Sequence, residues 1–126
     1  MYLERHEVTI AVDASGDGTG YTPVVSGFVR AIRYVPDGTV PYDTGADVTV
    51  TGDVSGIPIL TVTNTGTVAL SLYPRAATAG VTNTAALYAA GGTAILDLIP
   101  VSSERIKIVV AQGGTSKTGK FHVYIG

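Results

Sequence analysis

Apolar and polar residues alternate with a period of two along most of this chain, and that regularity decides its fold class. Successive side chains of a β-strand point to opposite faces, so alternation describes a strand with one face in a core and the other in solvent. Residues 6–13 place His6, Val8, Ile10 and Val12 on one side and Glu7, Thr9, Ala11 and Asp13 on the other. Residues 24–35 set Phe28, Ile32 and Tyr34 against Val25, Val29, Ala31 and Arg33. Further along, Ile106, Ile108 and Val110 oppose Arg105, Lys107 and Val109, and Phe121, Val123 and Ile125 oppose His122 and Tyr124. Shorter candidates lie at 47–51, 57–63, 67–73 and 93–99. Turn formers separate them, among them Ala14-Ser15-Gly16-Asp17-Gly18-Thr19-Gly20 and Pro36-Asp37-Gly38.

About seven or eight short strands at spacings of roughly ten residues predict an all-β fold, an antiparallel β-sandwich or jelly roll. The 126 residues suffice for a single domain, 1–126. Residues 75–92 break the pattern: their Ala, Thr, Gly and Asn hold only Leu87 and Tyr88 as large anchors. They are expected to form one long loop with a short helical turn at 84–90, and loops of that length in a compact domain are usually functional or ordered by a partner.

Charged residues make up 14% of the chain, well below the roughly 25% of an average soluble domain. Little electrostatic repulsion then keeps copies apart, and a homo-oligomer is expected. Residues 1–63 hold eight carboxylates against three arginines, a net −5; residues 64–126 hold two against five Lys and Arg, a net +3. Those halves can attract within one molecule or head-to-tail between copies. With eight Lys and Arg and a net charge of −2, the counterion release that drives nucleic-acid binding has little to work with, so no nucleic-acid partner is expected. The most apolar stretch, 85–99, is interrupted by Gly91, Gly92 and Asp97, so no membrane span is expected. The opening Tyr2-Leu3-Glu4-Arg5-His6-Glu7 becomes charged before a signal-peptide core can form, which predicts cytoplasmic synthesis. Cysteine is absent, and thiolate chemistry with it.

Four motifs touch on chemistry, and each is incomplete. Asp13-Ala14-Ser15-Gly16-Asp17-Gly18 matches the first half of a calcium loop, but position twelve is Val24 where a bidentate Glu is required, so a polar turn is expected. Gly114-Thr115-Ser116-Lys117-Thr118-Gly119-Lys120-Phe121 approaches a phosphate-binding loop, yet Phe121 replaces the magnesium-reaching hydroxyl and a strand follows instead of a helix; a hairpin loop is expected. Gly16-Asp17-Gly18-Thr19-Gly20 fails as a dinucleotide fingerprint for the same reason. His6 and His122 are the candidate bases, but no nucleophile elbow accompanies them and their spacing does not suit a metal; Asp37, Asp43, Asp47 and Asp53 fall in turns. No catalytic, cofactor or metal residue is assigned. A sugar-binding sandwich would stack rings on exposed aromatics; tryptophan is absent, and Tyr2, Tyr21, Tyr42, Tyr73 and Tyr88 fall at strand ends and loops, where interface anchoring is equally open to them.

Several segments carry a family likeness together: Phe28-Val29-Arg30-Ala31-Ile32-Arg33-Tyr34-Val35 leading to Asp37-Gly38-Thr39 and Pro41-Tyr42; Leu72-Tyr73-Pro74-Arg75-Ala76-Ala77-Thr78; Glu104-Arg105-Ile106-Lys107-Ile108-Val109-Val110-Ala111-Gln112-Gly113-Gly114; and Lys117-Thr118-Gly119-Lys120-Phe121-His122-Val123. The chain resembles the small β-rich virion proteins of tailed bacteriophages and prophages. The resemblance implies a capsid decoration, or cement, protein: a homotrimer seated on the outer shell against the major capsid protein, present in the virion after synthesis in the host bacterium. A tail or neck component and a carbohydrate-binding module remain the alternatives. Loops and the N-terminal arm are free to make such contacts, which singles out Tyr2, Leu3, Arg5 and Arg75 as candidate partner-contact residues.

Overall fold

Two antiparallel sheets carry the core in the computed structural model, which describes residues 2–126. The strands in chain order are β1 (Glu4–Ala11), β2 (Gly18–Tyr21), β3 (Val25–Pro36), β4 (Asp47–Gly52), β5 (Pro58–Val62), β6 (Leu70–Leu72), β7 (Ala76–Ala77), β8 (Leu96–Asp97), β9 (Ile99–Glu104), β10 (Ile106–Ala111) and β11 (Thr118–Ile125). One sheet runs β1-β11-β3-β6, with β9 sharing the β6 side of β3. The other runs β2-β10-β4-β5, and β7 pairs with β8 apart from both. The fold is the expected all-β, sandwich-like one.

Alternation succeeds where strands are regular. Val8, Ile10 and Val12 are buried, as are Ile106, Ile108 and Val110 of β10 and Phe121, Val123 and Ile125 of β11. Each Ile or Val removed from water in this way contributes about 1.5–3 kcal/mol. At the centre, the ring of Tyr34 lies 5.9 Å from Tyr42 in a stacked arrangement and 5.2 Å from Phe121 at a tilt. Both phenols are satisfied: Tyr34 donates to Gly66 O (2.8 Å) and Tyr42 to Ile10 O (2.6 Å). Burial pushes the Tyr34 phenol up to about 12 and raises Tyr42 further still. Tyr42 lies in a loop as expected, but it is 0% exposed and so is no interface anchor. It is a core residue because its neighbours Tyr34 and Gly119 build a slot around its ring.

Strand β3 departs from the simple pattern. Ile32 and Tyr34 face the core as expected, but Phe28 is 42% exposed and Val25 and Val29, expected on the opposite face, are buried. The cause is in the ladder. Tyr124 pairs with Ala31 and the next residue, Ile125, pairs with Val29, so Arg30 is an extra residue. A bulge of this kind resets which parity of residues faces inward. A second irregularity lies between Val25 and Gly27 in the pairing with β9.

The link at 113–119 is not a hairpin loop. β10 and β11 belong to different sheets, and the segment between them crosses the end of the sandwich. It is tied down by backbone bonds from Gly113 N to Gly16 O, Asp43 N to Gly113 O and Thr118 N to Val40 O. Similarly, β1 and β2 lie in different sheets around the turn at 12–17. Gly20 lets β2 close on β1, since a Cβ there would stand 2.6 Å from Val8 Cγ1.

Residues 75–97 leave the sandwich as an arm. No helical turn forms at 84–90. Instead β7 and β8 pair at the base, Ala76 with Asp97 and Ala77 with Leu96, and bridges join Ala79 to Ala85 and Leu87 to Ala94. Thr78 N donates to Ile95 O (2.8 Å), Ile95 N to Ala86 O (2.9 Å) and Ala86 N to Thr78 O (2.7 Å), closing a ring of three backbone hydrogen bonds.

Candidate interaction surface

The arm holds its backbone together with almost nothing buried. Between residues 75 and 97 only Thr78, Ala86, Ala94 and Ile95 are even half-buried. Val81, Leu87, Tyr88 and Leu96 are exposed, Tyr88 to 75%. Asp97 is the one charged residue from 76 to 97. Short ladders without an apolar face are marginal in water, so this arm is held by its backbone hydrogen bonds and gains little from burial.

At the arm's base the outer face of the β1-β11-β3-β6 sheet takes over. Its register sets side chains in rows. Arg5 of β1 lies opposite Tyr124 of β11, which lies opposite Ala31 of β3. One step beyond the Ile32–Leu72 pair, Tyr73 completes that row. The neighbouring row is Glu7, His122, Arg33 and Ser71. Tyr73, Tyr124, Ala31, Arg33 and Ser71 line an open groove of about 300 Å³.

Three of the four residues expected to contact a partner converge at one end of this face. Leu3 packs against Gly126 beside the Tyr2 backbone. Gly126 O accepts from Arg30 Nε (3.0 Å), and Arg30 O accepts from Arg75 Nη1 (3.3 Å), which also donates to Pro74 O (2.7 Å). Arg5 stands in the Tyr124 row on the same sheet. Arg30, Arg33, Tyr73 and Tyr124 belong to this surface as well, although sequence reasoning did not assign them to it. On a regular strand residues 30 and 33 point to opposite faces; the extra residue at Arg30 is what relaxes that rule.

Charge on this face is unbalanced. Arg33 donates to Ser71 Oγ (2.8 Å), and Arg30 and Arg75 donate to carbonyls. Among the described residues none of Arg5, Arg33 or Arg75 lies within 4 Å of an Asp or Glu carboxylate, whereas Arg105 Nη2 meets Asp53 at 2.8 Å and stacks over Tyr21. The nearby acids are engaged: Glu7 with Lys120 at 3.6 Å, Glu4 with His6 at 3.2 Å, and Asp97 with Leu98 N. The Asp53–Arg105 and Glu7–Lys120 pairs also join the acidic and basic halves within one molecule.

The incomplete motifs have structural occupations. Asp13 Oδ1 accepts from Ser15 N and Asp17 N, making the polar turn expected there. Gly119 lies under the Tyr34 and Tyr42 rings, and Gly114 against the Asp43 carboxylate. Asp37 accepts from Val40 N and Thr39 N, which hold its carboxyl below the usual range. His6 and His122 sit on neighbouring strands but at positions of opposite parity: His6 pairs with Val123, and Glu7 with His122. Among the described residues no three His, Asp or Glu side chains gather as metal ligands.

No protein-family model and no curated protein matches this chain. The crystal structure of FLHE is similar to it with a TM-score of 0.46 and 10% sequence identity, over 99% of this chain and 98% of that one.

Proposed function

We propose that this chain is a non-enzymatic structural protein of a phage virion, a decoration or cement protein that sits on the outer shell as a homotrimer against the major capsid protein. The observation that carries this reading is the arm at 75–97: an almost uncharged projection whose larger apolar side chains Val81, Leu87, Tyr88 and Leu96 are exposed. Covering it on another protein surface recovers about 25 cal/mol for each Å² of apolar area buried. The resemblance of residues 28–42, 72–78, 104–114 and 117–123 to tailed-phage virion proteins points to the same role. A trimer placed where capsid subunits meet would add modest contacts into one strong attachment, because each contact after the first is effectively intramolecular. Such a protein would be made in the host cytoplasm and leave within the particle.

The register at the arm's base supplies the test. Ala77 and Leu96 are directly paired, so residues 78–95 can be replaced by an Asn-Gly turn that closes a two-residue hairpin. No core residue is removed, and the shortened protein is expected to fold as a monomer with the thermal midpoint of the sandwich. It is also expected to lose self-association and attachment to decoration-free shells, and with them the protection those shells gain against heat and chelation of divalent cations. A shortened protein that still assembles and protects shells like the intact one contradicts the proposal.

A further inference from the structure

The groove on the outer sheet face has the shape and charge of a sugar site, and we propose that it binds an acidic polysaccharide, with one hexuronate ring held between Tyr73 and Tyr124 and its carboxylate on Arg33. The inference goes beyond the shell-protein reading and does not depend on it.

The spacing comes from the sheet. Tyr124 of β11 and Tyr73, one residue past β6, flank Ala31 from either side of β3, so their backbones stand two interstrand distances apart, or about 9.5 Å. A ring in van der Waals contact with a neighbour on each side needs about 7–8 Å. Ala31 supplies a floor whose methyl group is too short to fill the slot, and the groove holds about 300 Å³, at the lower end of small-molecule sites. Tyr73 is 66% exposed, so its ring is free to meet a ligand.

The chemistry at the end of the slot narrows the ligand class. Arg33 uses Nη1 on Ser71 Oγ, which leaves guanidinium donors in the planar fork that suits a carboxylate. The Ser71 hydroxyl, an acceptor in that bond, keeps its own proton for a ring hydroxyl. A ring bearing both hydroxyls and a carboxylate satisfies all of these groups. Arg5 and Arg75 lie along the same face without an Asp or Glu partner among the described residues. That favours a chain with a negative charge on every unit over a single acidic sugar.

Calorimetric titration of the full chain with oligogalacturonate tests this, with a neutral maltooligosaccharide and poly-glutamate as comparison ligands. Oligogalacturonate is expected to bind, the neutral sugar and the peptide at least about tenfold more weakly, and Tyr73→Ala or Arg33→Gln to lose about tenfold or more. Arg105→Gln, on the other sheet, is expected to change nothing. Tyr73→Ala removes an exposed ring, so its thermal midpoint should match the parent's and report that the fold is intact. The proposal is overturned by an absence of binding, by binding indifferent to Tyr73→Ala and Arg33→Gln, or by poly-glutamate binding equally well, which would identify the face as a docking surface for acidic protein.

Discussion

Gly119 lies against the ring of Tyr42, so close that a Cβ built on it would stand 2.6 Å from Cε2 of that ring and 3.0 Å from Cε1 of Tyr34. The glycine that gives this segment its likeness to a phosphate-binding loop is there for a tyrosine. Gly119→Ala is therefore overpacking at the centre of the aromatic cluster, and a loss of about 1–3 kcal/mol is expected in urea unfolding. Gly38→Ala, whose Cβ would meet open space, is expected to leave stability unchanged or slightly raised.

Glu104 is nearly buried, and its Oε1 accepts from Ser55 N (3.0 Å) and Val54 N (2.9 Å). The Ser55 amide, then its hydroxyl and the Val54 amide, hold the carboxyl below its usual range, while burial works against them. A depressed folded value means the carboxylate stabilises the fold above the unfolded pKa, about 4.3. That contribution is lost as pH falls through the lower folded value. Glu104→Gln is expected to be less stable than the parent at neutral pH and to show a shallower loss between about pH 5 and 3. Denaturation midpoints measured across that window check it; parallel curves for the two proteins would contradict it.

The sandwich could be read in the sequence wherever a strand is regular. In β10 and β11, and from Val8 onward in β1, every second residue meets the core, and period two finds them without help. Strand β3 shows why the rest was hidden. Its bulge at Arg30 arises from how β11 pairs with it, a long-range fact, and a single extra residue reverses the predicted facing of Phe28 and Val29. The same bulge kept Arg30 from being placed with Arg33, Tyr73 and Tyr124.

The arm was hidden for a different reason. Its order rests on backbone hydrogen bonds linking Thr78, Ala86 and Ile95, and small residues without alternation carry no facing signal. What the sequence did disclose was the scarcity of large anchors in 75–92. Of the residues that the loops and the N-terminal arm offer for contact, the register places Arg5 in the Tyr124 row, while Leu3 meets this face through Gly126 and Arg75 through Arg30 O.

Copy number in purified virions, measured by quantitative mass spectrometry against the major capsid protein, tests the shell assignment most directly. A protein that decorates the shell as a trimer is present at on the order of hundreds of copies per particle, in proportion to the capsid protein. About a dozen copies or fewer, confined to one vertex, would contradict the assignment and place the chain in the tail or neck.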